Sequence, residues 1–163
     1  MDNSNQSNFR TVRGYQSLNQ KEGYLTPAME DYLEMVYRQC MEHEFARVGQ
    51  LAGLLNVKAP SASKMIVKLS SLGYLKYGPY ERIQLTERGQ SVGEYLLKRH
   101  ETLEDFLTLI GSPDPLEEAE LIEHSLSLET VAHLSVLMKF LRTDGAAEKT
   151  LNSLNPDIHI NTN

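Results

Sequence analysis

Apolar residues recur at every third or fourth position over most of the chain between residues 25 and 141, with polar residues between them. This period is that of an amphipathic helix, which has one apolar face and one polar face. The first such segment predicts a helix from Pro27 to about His43, because Thr26 suits the N-cap and proline suits the first turn. Its apolar stripe comprises Met29, Leu33, Val36, Tyr37 and Cys40.

Two shorter helices and a hairpin follow. The stretch "RVGQLAGLLNVKAPSASKMIVKLSSLGYL" predicts two helices separated by "NVKAP", and Gly73 suits the position just after the second helix. The β-prone runs "YLKY" and "RIQLT" flank "GPYE", which is typical of a turn. One helix, a helix-turn-helix pair and a β-hairpin in this order predict a winged helix.

The rest of the pattern is helical. Thr86 suits the N-cap of a long helix that runs toward Ile110 and is closed by Gly111. The stretch "EAELIEHSL", residues 118–126, predicts a short helix, and Ser127 suits the N-cap of a last one. That last helix has its apolar side at Val131, Leu134, Met138 and Leu141. The predicted fold class is therefore mostly α, with an N-terminal winged helix-turn-helix domain followed by an α-helical domain.

Composition divides the chain further. Residues 1–24 are rich in Asn, Ser and Gln and have few large apolar side chains, so we expect a flexible arm. The winged-helix domain is predicted over residues 25–90 and the helical domain over 91–141. Residues 142–163 are polar and Asn-rich again, which indicates a tail.

Charge separates the two predicted domains. The net charge is −6, yet residues 58–90 hold six Lys or Arg against two Glu, a local balance of +4. Residues 91–141 hold three basic residues against ten acidic ones, a balance of −7. The first segment attracts anions and the second attracts cations.

The totals exclude several classes of protein. No apolar run approaches the roughly 20 residues of a membrane span, and the N-terminus lacks the apolar core of a signal peptide, so we expect a cytoplasmic protein. The single cysteine, Cys40, cannot form an internal disulfide, and its spacing favours core packing. Because neither a hydrolytic or redox triad nor a Gly-rich phosphate loop is present, we do not expect an enzyme.

The second helix of the helix-turn-helix begins with small polar and basic residues. Short Ser and long Lys side chains reach base edges and phosphates when such a helix enters the major groove of DNA. The alternative is a winged helix used only for protein contacts, which the local positive charge disfavours. The predicted DNA-binding residues are Lys58, Ser61, Ser63, Lys64, Lys68 and, on the wing, Arg82.

Acidic residues and histidines form two groups. Asp31 and Glu34 share one helical face, and Glu120, Glu123 and His124 share another. His100 falls close to the apolar seam of the long helix. Spacing alone does not select metal ligands here, because solvated acidic faces are common. The neighbouring acids are equally available: Glu101, Glu104, Asp105, Glu117 and Glu118.

From "TPAMEDYLEMVY" through "KRHETLEDFL" to "AELIEHSLS", roughly residues 25–141, the chain resembles the manganese-responsive repressors of the diphtheria toxin repressor family. The resemblance is to the short form, which lacks an SH3-like third domain. It implies a winged-helix DNA-binding domain and a metal-binding and dimerisation domain. It also implies six metal ligands at Asp31, Glu34, His100, Glu120, Glu123 and His124.

The resemblance bears on the choice of metal. Iron-responsive relatives are known for Met and Cys at positions that correspond to Asp31 and Glu120, whereas oxygen ligands at both favour Mn²⁺. Four carboxylates and two neutral imidazoles carry a charge of −4, which two divalent cations would cancel. The resemblance therefore implies two Mn²⁺ per subunit, with Fe²⁺ or another divalent cation as the alternative.

These observations lead to one functional hypothesis with three competitors. We expect a Mn²⁺-activated repressor of manganese uptake genes that binds a palindromic DNA operator as a homodimer and has no membrane partner. An Fe²⁺-responsive repressor and a winged-helix regulator of an organic ligand are the alternatives. A ferritin-like di-metal oxidase is disfavoured, because only one Glu-x-x-Glu-His motif is present. Relatives tend to have Gly after the tight turn of the wing, where this chain has "ERIQLT".

Overall fold

The computed structural model describes residues 25–78, 80, 82–143, 145, 149–150 and 153. The chain divides into two compact units, Met1–Gly93 and Glu94–Asn163. The predicted arm and most of the predicted tail lie outside the described residues. No helix among the described residues is long and apolar enough to cross a membrane.

The first unit contains three helices before its hairpin. They are α1 (Pro27–Glu42), α2 (Val48–Leu54) and α3 (Ala59–Ser71). Thr26 caps α1 as predicted, because its Oγ1 accepts a hydrogen bond from the backbone N–H of Met29 at 3.3 Å. The turn between α2 and α3 passes through Asn56, whose φ of 51° is tolerated better by Asn than by most residues.

A small sheet completes the winged helix. Its strands are β1 (Ala46–Arg47), β2 (Leu75–Tyr77) and β3 (Arg82–Leu85), in the order β1-β3-β2 with antiparallel pairing. Leu75 pairs with Leu85 and Tyr77 with Ile83, so the hairpin has the predicted strands. The two-residue strand β1 was not predicted, and it adds an edge through the pairing of Ala46 with Ile83.

The apolar stripes of these helices and the sheet form the core of the first unit. Leu33, Leu51 and Ile66 each have a side chain with no exposed surface, and they come from α1, α2 and α3 respectively. Ile83 is equally buried on β3. Removing these side chains from water stabilises the unit by about 1.5–3 kcal/mol each.

Helix α4 (Glu87–Leu109) begins where the hairpin ends, and the second unit starts within it at Glu94. Thr86 caps this helix as predicted, since its Oγ1 accepts a hydrogen bond from the N–H of Gly89 at 3.0 Å. Gly111 follows the helix with a φ of 81°, a conformation that glycine adopts without strain. The predicted boundaries of the long helix therefore agree with the structure to within a residue or two.

The second unit adds helices α5 (Pro115–Ile122) and α6 (Leu128–Thr143). The short helix differs from the one predicted. Helix α5 begins earlier, after an Asp114 N-cap, and ends at Ile122, and a 3₁₀ turn over Glu123–Ser125 follows it. One core cluster of this unit consists of Leu103, Leu107 and Ala119, with Phe106, Leu126 and Leu134 packed against them. The mostly α fold with a winged helix is confirmed.

Candidate metal centre and DNA-binding surface

Three of the predicted ligands converge on the buried side of α4. His100 is 3% exposed, and its Nδ1 lies 3.2 Å from Oε2 of Glu123 and 3.7 Å from Oε1 of Glu120. Glu123 is also buried, at 2% exposure, whereas the side chain of Glu120 is half exposed. Leu103 and Ala119 of the core pack α4 against α5. This packing brings the imidazole of His100 close to the carboxylates of Glu120 and Glu123.

The fourth predicted ligand of this unit, His124, lies beside Glu123 in the 3₁₀ turn. Its Nε2 is 3.6 Å from Oε1 of Glu123. Glu123 contacts both histidines, His100 through Oε2 and His124 through Oε1. The structure therefore brings His100, Glu120, Glu123 and His124 into one cluster within the second unit.

One basic residue, Arg99, enters this cluster. The Arg99 side chain is 4% exposed, and its Nη2 lies 3.2 Å from Nδ1 of His124 and 3.7 Å from Oε1 of Glu123. Sequence reasoning missed Arg99. The available signal was a basic residue next to His100 inside an otherwise acidic segment.

The donor set of the cluster fits a divalent cation. It offers two imidazole nitrogens and the oxygens of two carboxylates, which are the donors that Mn²⁺, Fe²⁺ and Zn²⁺ share. Glu104, one of the neighbouring acids that the sequence left open, lies with Oε2 3.8 Å from Nε2 of His100. A buried carboxylate such as Glu123 is tolerated only beside positive charge or hydrogen-bond donors.

The other two predicted ligands belong to the first unit. Asp31 and Glu34 lie on one face of α1, and Glu34 is buried at 8% exposure. Arg38 is one turn further along, and its Nε and Nη2 both donate to Oε1 of Glu34, at 2.9 and 2.7 Å. Glu34 thus has an arginine partner in this structure, as Glu123 has.

The predicted DNA-binding residues lie on the outer side of the winged helix. Ala62, Ile66 and Leu69 face the core of the unit from α3. The opposite side of α3 exposes Ser61, Lys64 and Lys68, while Ser63 is half-buried. Lys58 is exposed at the N-cap of α3, and Arg82 is exposed on β3. The arrangement presents basic side chains along one helix, as a recognition helix requires.

A second basic group lies at the sheet edge. The guanidinium groups of Arg47 and Arg82 stack over the ring of Phe45, at 4.9 and 4.6 Å from its centroid. Arg47 also donates to the carbonyl oxygen of Tyr80 in the wing, at 3.4 Å. Sequence reasoning selected Arg82 and missed Arg47, because the pairing of β1 with β3 that brings them together has no local signal.

Two family descriptions match consecutive parts of the chain. Residues 24–83 match the N-terminal DNA-binding domain of the iron-dependent repressors. Residues 86–151 match the iron-dependent repressor metal-binding and dimerisation domain. The two matches correspond to the winged helix and to the helices that carry His100, Glu120, Glu123 and His124.

Full-length relatives agree with these matches. The HTH-type transcriptional regulator MntR of Bacillus subtilis (strain 168) is 38% identical over 131 residues, which cover 79% of this chain and 92% of that protein. MntR of Oceanobacillus iheyensis is 38% identical over 128 residues, covering 77% of this chain and 87% of that protein. Nearly the whole length of each relative is therefore represented.

Solved structures give the same result for the fold. The manganese regulator SloR is 33% identical with a TM-score of 0.60, covering 72% of this chain and 55% of that one. The metal-dependent transcriptional regulator MtsR is 28% identical with a TM-score of 0.64, covering 71% and 55%. This chain spans a little over half the length of these solved chains. By domain matches, relatives and fold, the chain belongs to the iron-dependent repressor family, also known as the diphtheria toxin repressor family, of metal-dependent DNA-binding transcriptional regulators, which are not enzymes.

Proposed function

We propose that the protein is a Mn²⁺-activated repressor of manganese uptake genes. The observation that carries the proposal is the cluster in which Nδ1 of His100 lies between the carboxylates of Glu120 and Glu123. The donors are nitrogen and oxygen, and Glu120 supplies oxygen at a position where iron-responsive relatives are known for sulfur. Two relatives that match most of the chain are named as MntR regulators, which supports manganese.

The full ligand set that we propose has six members and holds two Mn²⁺ per subunit. The cluster of the second unit contributes His100, Glu120, Glu123 and His124, and α1 contributes Asp31 and Glu34. Four carboxylates and two neutral imidazoles carry four negative charges. Bound dications supply the positive charge that cancels this repulsion.

The repressor is proposed to work by restricting how its two units are arranged. Carboxylates from both units repel one another without metal, so the chain samples many arrangements, of which few suit DNA. Converting a nearly inactive population into a nearly active one requires about 5.5 kcal/mol of differential metal affinity. The active homodimer presents two copies of α3 to successive major grooves about 34 Å apart, which suits a palindromic operator.

DNA contact is assigned to the exposed side of α3 and to the wing. Lys58, Lys64 and Lys68 would neutralise phosphates, and Ser61 and Ser63 are short enough for close approach to base edges. Arg82 would meet the backbone beside the wing. A protein with this task operates where the chromosome is, so we place it in the cytoplasm.

The test is DNA binding under different metals. Duplexes are first selected from a random library by the protein in Mn²⁺, and their affinity is then measured by fluorescence anisotropy in EDTA, Mn²⁺, anaerobic Fe²⁺ and Zn²⁺. We expect tight binding in Mn²⁺ and at least a hundredfold weaker binding in EDTA. Equal affinity in Mn²⁺ and EDTA would show that the proposal is wrong.

A variant pair localises the effect. Glu120→Ala removes a cluster carboxylate and is expected to raise the Mn²⁺ concentration needed for DNA binding at least tenfold. Glu117→Ala, an exposed acid on the same helix α5, serves as the matched control and is expected to behave as the wild type. Circular dichroism of both variants should show unchanged helicity.

An Fe²⁺-responsive repressor is the second candidate, because both matching family descriptions name iron. The same titration separates the two candidates. Half-maximal DNA binding at a lower concentration of Fe²⁺ than of Mn²⁺, measured anaerobically, would select the iron-responsive function.

A further inference from the structure

Arg99 contacts two of the proposed ligands and has no role in the proposed function. It is a buried cation at 3% exposure, and its Nη2 lies 3.2 Å from Nδ1 of His124 and 3.7 Å from Oε1 of Glu123. The guanidinium thus contacts both a carboxylate and an imidazole of the proposed ligand set.

The chemistry of the contact fixes which atom accepts. A guanidinium has donors only, so Nδ1 of His124 must accept the hydrogen bond. A neutral imidazole has one nitrogen with an available lone pair and one that bears hydrogen. With Nδ1 as the acceptor, the hydrogen of His124 resides on Nε2, the atom that faces Glu123 at 3.6 Å.

Metal coordination and the arginine contact exclude each other at His124. Ligation through Nδ1 needs the lone pair that the Arg99 N–H uses. Ligation through Nε2 needs the hydrogen of the ring to move to Nδ1. There it would point at the N–H of Arg99, which is also a donor. Either way, His124 cannot ligate a metal ion while it accepts from Arg99.

We propose that Arg99 is a built-in competitor of the metal: it holds His124 and Glu123 in the metal-free protein and sets the metal concentration at which these ligands are released. The inference rests on the proposed function, since it assigns both residues to the metal site. A hydrogen bond from a charged donor changes an equilibrium constant by a factor of about 10 to 100, which is the range by which Arg99 would lower metal affinity.

The first experiment is Mn²⁺ titration calorimetry of the full chain and of Arg99→Met, which keeps an unbranched stem and removes the donors and the charge. We expect about tenfold or greater tightening of Mn²⁺ binding in the variant. We also expect a lower melting temperature without metal, since Glu123 loses a cation, and a larger rise in melting temperature on adding Mn²⁺. The matched control is Arg142→Met, which removes an arginine paired with Asp105 at 2.9 Å in the same unit and should leave Mn²⁺ affinity unchanged.

The second experiment needs no substitution of Arg99. Nitrogen NMR of the metal-free wild type at pH 8, with His124 assigned by comparison with His124→Gln, reports which ring nitrogen bears the hydrogen. We expect the Nε2–H tautomer. A dominant Nδ1–H tautomer would overturn the inference, whether or not Arg99→Met folds.

The results also separate this inference from the proposed function. A wild type that binds Mn²⁺, together with an Arg99→Met variant of equal or lower affinity, overturns the inference alone. If the wild type and both variants fail to bind Mn²⁺, the proposed function is wrong and the inference fails with it.

Discussion

Gly89, in the first turn of α4, has no room for a side chain. A methyl group built on its α-carbon would overlap the carbonyl oxygen of Tyr74 and approach Leu85 Cδ2 to 3.2 Å. That carbonyl also accepts a hydrogen bond from the N–H of Thr86 at 3.0 Å, so it cannot move away without weakening this bond. We therefore expect Gly89→Ala to destabilise the protein by about 1–3 kcal/mol, as measured by urea unfolding.

The control for Gly89→Ala is Gly53→Ala in α2, where an added methyl group meets nothing within 4 Å. Both changes restrict the unfolded chain equally, so their difference reports the folded state. Gly53→Ala is expected to leave stability unchanged or to raise it by up to about 1 kcal/mol. Equal urea midpoints of unfolding for Gly89→Ala and Gly53→Ala would contradict the packing argument.

Cys40 on α1 offers a pH-dependent test, since it is the only cysteine in the sequence. Burial raises the pKa of its thiol, against smaller lowering effects of backbone hydrogen bonds at Ala46 and Leu85. Only the thiolate reacts with thiol reagents, so a raised pKa leaves less reactive species at any pH below it. We expect labelling of the native protein to be slower than in urea at pH 8, with its pH profile displaced to higher pH. If labelling of the native protein rises at the same pH as that of the unfolded chain, or at a lower pH, this prediction is wrong.

At the residue scale, burial was predictable and pairing was not. Leu33 and Val36 are fully buried where the helical period placed them. Cys40 is only partly buried, and its Sγ donates to the carbonyl of Ile83 at 3.7 Å. Arg99 meets His124 across 25 positions of sequence, and no local pattern encodes such a contact. The period tells which side of a helix is buried, but not which buried polar groups meet.

The ends of α3 and α4 were predictable, because their signals are local. After α3, Gly73 N–H donates to Ser70 and Tyr74 N–H to Leu69, which is the Schellman pattern that a positive φ at Gly73 permits. The same bonds recur around Gly111 after α4. A glycine just after the last apolar residue of the helical period was sufficient to place both helix ends.

Thr86 joins two elements and can be tested at that scale. Its hydroxyl accepts from Gly89 N–H at 3.0 Å and donates to the carbonyl of Gly73 at 2.7 Å, which ties the start of α4 to the end of α3. Thr86→Val keeps the shape and removes both bonds, so we expect a loss of about 1–3 kcal/mol in thermal unfolding. Thr86→Ser retains the hydroxyl and should lose less than half as much. Similar losses in both variants would contradict a capping role.

The elements that the sequence did not predict depend on distant partners. Strand β1 has only Ala46 and Arg47, too few residues to show an alternating pattern, and it exists through pairing with β3. The 3₁₀ turn Glu123–Ser125 replaces the last turn of the predicted short helix, and Glu123 is buried at its start. The candidate ligands were thus identified from the resemblance, while their geometry depends on tertiary structure.

At the scale of the whole molecule, the division of charge along the chain follows the division into two units. The basic segment lies in the unit whose exposed helix carries Lys64 and Lys68, and the acidic segment lies in the unit with the buried Glu123. The net charge of −6 alone argues against DNA binding. The helix-turn-helix pattern predicted DNA binding, and the division of charge along the chain disfavoured a winged helix used only for protein contacts.

The dimer leads to the last prediction. Helix α6 belongs to the region matched as a dimerisation domain, and Val136, Leu137 and Phe140 on it are 68%, 46% and 58% exposed. Burying a carboxylate in an apolar interface is costly, so Val136→Glu should weaken dimerisation at least about tenfold, measured by sedimentation equilibrium.

Met41→Glu places the same charge on an equally exposed apolar residue of α1 and should leave the dimer intact. Unchanged dimerisation in Val136→Glu, or equal weakening in both variants, would show that this face of α6 is not the interface. Because Val136 contributes little to the core, circular dichroism should be unchanged. The affinity for the proposed palindromic operator should fall, since only a dimer would engage both of its half-sites at once.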